Sequence, residues 1–424
     1  MRIRISSARI IDPGRTDRVA DVVVADGCIE QVGTGPVDGR GPVERVIDGR
    51  GLLLVPGLID IHVHLREPGH EYKETIDSGC RAAAAGGFTA VCAMPNTVPV
   101  NDSVQVTRFV REQARGAASA RVYPVAAITR GQAGTRLCEF ADLKNAGAVG
   151  FSDDGRPVTG SQMMRRAMEY ALGFDMPIIS HCEELELADG GSMNEGPVAT
   201  RLGLAGIPNA AESVMVMRDL ALAELTGARL HIAHVSCAES VEAIRGAKRR
   251  GVRVTAETAP HYFTLTDEAV ADYDTRAKMN PPLRSAADRR AVRQGLADGT
   301  LDAIATDHAP HSTLEKDLEF DQAANGIVGL ETALPLSLQL VADGVLSLPD
   351  LVARMTVNPA RIMGLPCGLA EGGPADLTLI DPALEWVVDS GRFFSLSRNT
   401  PFDGWKVRGR AVMTMVAGRI VHEL

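Results

Sequence analysis

Between residues 57 and 360 short apolar strands alternate with helical stretches eight times, and this alternation constrains the fold more than any other feature of the chain. The strands read at 57–65 (GLIDIHVHL), 87–94 (GFTAVCAM), 121–128 (RVYPVAAI), 147–153 (GAVGFSD), 176–182 (MPIISHC), 228–236 (ARLHIAHVS), 251–258 (GVRVTAET) and 301–307 (LDAIATD). Helical patterns fall between them, for example at 102–115, 212–225 and 286–298. Eight strand-then-helix units point to α/β architecture of the parallel (β/α)8 TIM-type barrel. An open doubly wound sheet is the alternative, because one missed or invented strand blurs the count.

The two ends of the chain read differently. Residues 1–55 and 365–424 are rich in strand–turn–strand units and poor in helix signals. The stretches 22–33 (VVVADGCIEQVG) and 413–423 (MTMVAGRIVHE) share an apolar run, a Gly turn and a second apolar run. These ends are expected to join into one composite β-sandwich domain, leaving 56–364 as the catalytic barrel. Pro56-Gly57 and the Gly- and Pro-rich stretch 365–376 mark the borders.

Charge and cysteine usage exclude several classes. With 44 Lys and Arg against 54 Asp and Glu the net charge is −10, and no basic run exceeds Lys248-Arg249-Arg250, so a nucleic-acid partner is not expected. The start alternates polar and apolar residues where a signal peptide needs a continuous apolar run, and no stretch suits a membrane span. The seven cysteines are scattered, without a C-x-x-C, which fits reduced thiols and a cytoplasmic location. There is no G-x-S-x-G, G-x-G-x-x-G or G-x-x-x-x-G-K-[ST].

Ligand-type residues gather at the C-terminal ends of the strands, where barrel enzymes build their sites. Strand parity sends His62 and His64 to one face. Strand four ends in Asp153 and Asp154, strand five in His181, strand six in His231 and His234, and strand eight in Asp307. Parity places His231 and His234 on opposite faces, so at most one is a barrel ligand; His234 is nearer the mouth, and His231 reads as a packed or capping residue. Asp153 and Asp154 likewise face opposite ways and are not separated by sequence alone. Four histidines and two carboxylates suit a two-metal site, with one carboxylate bridging ions roughly 3.5–4 Å apart. The ligand mix favours Zn²⁺, with Mn²⁺ or Co²⁺ as alternatives. The chemistry implied is hydrolysis of an amide-like bond. Arg66 offers a bidentate fork for a substrate carboxylate, unless Glu67 or Glu71 occupies it.

The strings DIHVHLREPG, AMPNT, FSDDG, ISHCE, HVS, MNPPLR and ATDHAPH occur in this order across nearly the whole chain. Together they resemble the amidohydrolase superfamily and, within it, the class I bacterial dihydroorotases. The resemblance implies that His62, His64 and Asp307 hold one zinc ion, that His181 and His234 hold a second, and that Asp154 and a hydroxide bridge them. Relatives bridge with a carboxylated lysine; no lysine ends strand four here, so Asp154 takes its place. Asp307 is implied as the general acid and base, and Arg66, Asn96, Asn280, His311, Asn325 and Gly326 as the substrate-binding groups. One departure is QAANG at 322–326, where many relatives carry Pro-Phe-Gly.

The implied reaction is the reversible cyclisation of N-carbamoyl-L-aspartate to dihydroorotate in pyrimidine synthesis. Another cyclic amidohydrolase (hydantoinase, dihydropyrimidinase or allantoinase) is the nearest rival. A non-catalytic scaffold for aspartate carbamoyltransferase is a second, which the full ligand set disfavours. The resemblance also leaves room for a complex with aspartate carbamoyltransferase, and a homo-oligomer is expected. The polar stretch 312–326 reads as a mobile cover over the site.

Overall fold

The computed structural model describes residues 2–33 and 42–424; residue 1 and residues 34–41 of the N-terminal segment lie outside the described residues. The eight barrel strands are β1 (Leu58–Val63), β2 (Phe88–Ala93), β3 (Arg121–Pro124), β4 (Phe151–Ser152), β5 (Ile178–Ser180), β6 (Leu230–Ile232), β7 (Val254–Thr258) and β8 (Ala303–Ile304). Strands β1 to β3 pair in parallel, as do β4 to β8. Parallel bridges Ala126↔Phe151 and Val63↔His308 join the two sets at both edges, so the strands follow one another around a ring. The ladders are shorter than the apolar runs suggested. Beyond the last paired residue the chain stays buried while it bends into the mouth.

The interior is filled from many strands at once: Ile59, Ile61, Ala90, Cys92, Val125, Ile179, Ala233, Ala303 and Ala305 form one cluster. Residues of opposite parity, such as Val91, Ile178, Ile232 and Val254, pack outward against the helices. Strands buried on both faces explain the continuous apolar runs. The helices occupy Val104–Ala117, Asn209–Thr226 and Ala286–Ala297 where the three patterns placed them, give or take their ends. Ser285 caps the last of these, its side chain accepting from the Asp288 amide.

Strands from both chain ends build a second unit. In one eight-stranded sheet the order is Arg419–Glu423, Lys406–Val416, Leu377–Val387, Leu53–Pro56, Arg2–Asp12, Thr16–Ala25, Cys28–Gly33, with Arg45–Asp48 also on Arg2–Asp12. The two halves meet where Leu53–Pro56 pairs antiparallel with Leu377–Val387. Its core of Ile3, Ile5, Ile10, Val22, Val24, Leu377 and Met415 is separate from the barrel's. The shared strand–Gly–strand pattern corresponds to two tight hairpins. Asp26-Gly27 and Ala417-Gly418 both have positive φ at both turn positions, as type I′ turns require. The turns also abut: a Cβ on Gly418 would lie 2.8 Å from the Gly27 Cα. Residues 393–402 leave this sheet and lie on the barrel, where Asn399 donates to the Ala309 and Gly326 carbonyls.

Candidate active site

Six buried side chains converge at the C-terminal ends of five strands: His62 and His64 from β1, Asp154 after β4, His181 after β5, His234 after β6 and Asp307 after β8. Their ligand atoms form two groups that share one carboxylate. His62, His64 and Asp154 make the first, and Asp154, His181 and His234 the second, the atoms of each lying within 4.8 Å of one another. Asp154 is the hub. Its Oδ1 is 3.3 Å from His62 Nε2, 3.5 Å from His181 Nδ1 and 3.6 Å from His234 Nε2, and its Oδ2 is 3.5 Å from His64 Nε2. Asp307 Oδ1 stands 3.1 Å from His64 Nε2 and 3.6 Å from His62 Nε2.

Backbone irregularities that strand parity does not show help to aim these groups. A register shift between Asp60 and Val63 lets Ile61 pack inside while Val63 packs outside, which turns His62 and His64 into the mouth. His234 has φ +35°, so the chain kinks after β6 and both His231 and His234 point inward. The expectation that they face opposite sides is therefore corrected; His231 still belongs to neither ligand group, and it sits beneath the site against Glu257. Arg66 (φ +62°) and Asp307 (φ +48°) also lie in the left-handed region. Such strain, roughly 1–3 kcal/mol per residue, is tolerated where the surroundings over-determine the geometry. Asp153 turns away and accepts from the Ile128 and Thr129 amides at 2.8 and 3.1 Å, which leaves Asp154 as the residue in the site.

Hydrogen bonds on the far side of three of the four imidazoles fix which nitrogen faces inward. His62 Nδ1 donates to Glu257 Oε1 at 2.7 Å, and His64 Nδ1 donates to Asn96 Oδ1 at 2.8 Å. His181 Nε2 donates to Glu183 Oε2 at 3.3 Å. Rings so held turn their inward nitrogens to Asp154 and Asp307, and His62 Nε2 and Asp154 Oδ1 have no hydrogen-bond partner among the described residues. Burial raises the Asp154 carboxyl and lowers the His62 imidazole, yet their attraction reverses both, holding Asp154 well below and His62 well above its ordinary range. The cluster thus demands positive charge between its lone pairs. Imidazole and carboxylate donors in two groups around a shared Asp fit metal ions.

Glu257, which sequence reasoning passed over, supports this arrangement. Burial raises its carboxyl, but the bonds to His231 and His62 outweigh that and bring it down to about 2, so it stays ionised. A carboxylate within the otherwise uncharged β7 was the available signal. Glu257→Gln keeps the shape and loses the charge. It is expected to weaken metal binding roughly 10–100-fold, read by competition with a chromophoric chelator. Unchanged affinity would remove Glu257 from this role.

The other sequence-predicted residues ring the clusters. The buried Arg66 donates from Nε to the Pro310 carbonyl at 3.1 Å, and no carboxylate among the described residues pairs with it. Glu67 and Glu71 accept instead from the Ile76 and Gly69 amides. His311 Nε2 donates to the Asn325 carbonyl at 2.8 Å, and with burial and Arg66 pushing the imidazole down to about 2, the ring is neutral with a bare Nδ1. Asn280 donates to Glu183 at 2.9 Å, so it reaches the second ligand group through a residue sequence analysis gave no role. The Gly326 carbonyl accepts from Lys316 and Asn399. The stretch 312–326 is tied down rather than free: the buried Lys316 ammonium donates to the Lys278, Ala324 and Gly326 carbonyls, and Glu315 pairs with Lys73 at 2.6 Å.

A parallel barrel with two His/Asp clusters sharing one aspartate at its mouth defines an amidohydrolase. The solved L-hydantoinase (dihydropyrimidinase) of Arthrobacter aurescens superposes with a TM-score of 0.89 at 28% identity, covering 99% of this chain and 96% of that one. The chain belongs to the dihydroorotase family. It is 61% identical to the dihydroorotase of Desulforapulum autotrophicum, over 100% of this chain and 99% of that protein. Against the dihydroorotase of Syntrophus aciditrophicus it is 56% identical over the full length of both. The dihydro-orotase-like family model matches residues 51–240. No helix among the described residues is long and apolar enough to cross a membrane.

Proposed function

We propose that this enzyme interconverts N-carbamoyl-L-aspartate and dihydroorotate through two zinc ions. The observation that carries the reading is the shared Asp154, one carboxylate serving two complete ligand groups. His62, His64, Asp154 and Asp307 would hold one ion, and His181, His234 and Asp154 the other. Such ions lower the pKa of a water and polarise a carbonyl oxygen. Asp307, against His64, accepts the proton of the attacking water and delivers it to the ring nitrogen as the amide bond breaks. Ring closure runs the same transfers backwards. Arg66, buried beside the neutral His311 without a carboxylate partner among the described residues, receives the ring carboxylate; Asn96 holds His64, and Asn280 and the 325–326 backbone border the pocket.

The test is turnover by the metal-loaded protein of dihydroorotate against hydantoin, dihydrouracil and allantoin, with elemental analysis alongside. Dihydroorotate is expected to be strongly preferred, and chelation is expected to abolish the activity until zinc is restored. Equal or better turnover of an uncharged ring would assign a hydantoinase-type activity instead. A homo-oligomer and a complex with aspartate carbamoyltransferase belong to the same reading, tested by size-exclusion chromatography with and without that enzyme.

A further inference from the structure

On the side of the barrel away from the metal ligands, a cleft of about 580 Å³ opens around the start of β3. The helix Val104–Ala117, the Gly147 turn before β4 and the C-terminal hairpin supply its other walls. Arg111, Arg115, Arg121, Lys144 and Arg419 line it, and among the described residues no carboxylate does. That is unexpected in a chain of net charge −10. Among the described residues only Arg121 is neutralised, by Asp376 at 2.6 and 3.1 Å.

Like charges gathered in one cleft repel, and Arg111 and Arg115, one helical turn apart, repel directly. The structure nevertheless fixes part of the group in place. Arg111 Nη1 donates to the Ala146 carbonyl at 2.9 Å and lies over Gly147, where a Cβ would fall 2.6 Å from that nitrogen. Lys144 donates to the Phe174 carbonyl at 3.2 Å. Arg115 and Arg419 are exposed and have no ion-pair partner among the described residues.

We infer that this cleft is a second, non-catalytic binding site for a small anion carrying several phosphates. Arginine forks match phosphate oxygens, the volume suits a ligand of nucleotide size, and one multiply charged ion relieves several repulsions at once. The cleft lies at the strand beginnings, so its ligand does not compete for the metal site. Two sources share this chemistry, a bare polyphosphate chain and a nucleoside polyphosphate, whose base would meet the half-buried Tyr123 in the cleft wall.

The experiment is calorimetric titration of the full, metal-loaded chain with inorganic tripolyphosphate and, separately, with ATP, in excess Mg²⁺ to prevent stripping of the site metals. Both are expected to bind. The doubly exposed variant Arg115→Glu/Arg419→Glu is expected to weaken both at least about tenfold, with dihydroorotate turnover equal to that of the parent. Tighter binding of ATP that Tyr123→Leu brings back to the tripolyphosphate level identifies a nucleotide as the source. Equal affinities identify the phosphate chain. The inference is overturned if neither probe binds at millimolar concentration. It is equally overturned if the double variant binds as tightly as the parent, as it would were the probes at Arg66 and the metals.

Discussion

Asp307→Asn is expected to lower kcat by roughly 10²–10⁴-fold while the protein keeps its metal and its KM stays within a few-fold. The substitution preserves the shape of a buried side chain whose Oδ1 stands 3.1 Å from His64 Nε2, so the packing at the end of β8 has no reason to change. The ability to take a proton does change. Burial alone raises this carboxyl, but His62 and His64 outweigh it and hold Asp307 far below the usual carboxylate range, so it enters the cycle ionised. An amide cannot accept the proton of the attacking water or return it to the leaving nitrogen. Asp154→Asn supplies the contrast. Asp154 touches all four histidines, so weakening it is expected to reduce bound metal in elemental analysis before chemistry is at issue. The two variants separate a ligand that also carries the proton from the ligand shared by both groups. Near-normal turnover by metal-replete Asp307→Asn would rule out the proton role.

The sequence made the barrel legible because parallel strands covered on both faces must be apolar throughout, and eight such runs were countable. The ligand residues were legible because a charged or imidazole side chain ending an apolar strand is costly unless it has a job. What stayed hidden depended on backbone detail. Parity sets His231 and His234 on opposite faces because it assumes an unbroken strand, and the turn at His234 (φ +35°) is not written in any residue type. Asp153 and Asp154 were inseparable for the same reason: which of two neighbours caps the 128–129 amides depends on where β3 ends. Asn399 was out of reach altogether. It touches the His311 amide from 88 residues away, through a segment whose sequence reads as part of the terminal sheet. The polar composition of 312–326 suggested mobility, but one buried lysine with three carbonyl acceptors anchors it.

Arg66→Gln is expected to reduce kcat/KM for dihydroorotate by roughly 10²–10⁴-fold, the loss of two charge-assisted hydrogen bonds at about 1.5–3 kcal/mol each. Dihydrouracil, the same ring without the carboxylate, is expected to be turned over no worse than by the parent. The argument rests on an imbalance in the structure. Burial pulls the Arg66 guanidinium below its usual range, and its side chain meets neutral groups, donating to the Pro310 carbonyl at 3.1 Å and lying 3.3 Å from His311 Nε2. A buried cation is ordinarily paired, and the acids nearest to it in sequence, Glu67 and Glu71, are engaged elsewhere. The cost of leaving Arg66 bare is recovered when an anionic substrate arrives, which makes the residue a source of selectivity as well as affinity. Gln is the informative replacement: it retains a donor for Pro310 and bears the same backbone strain at φ +62°, so only the charge and the fork are removed. If Arg66 merely braces the loop after β1, both substrates must lose rate in parallel. A fall confined to dihydroorotate marks Arg66 as the group that reads the carboxylate.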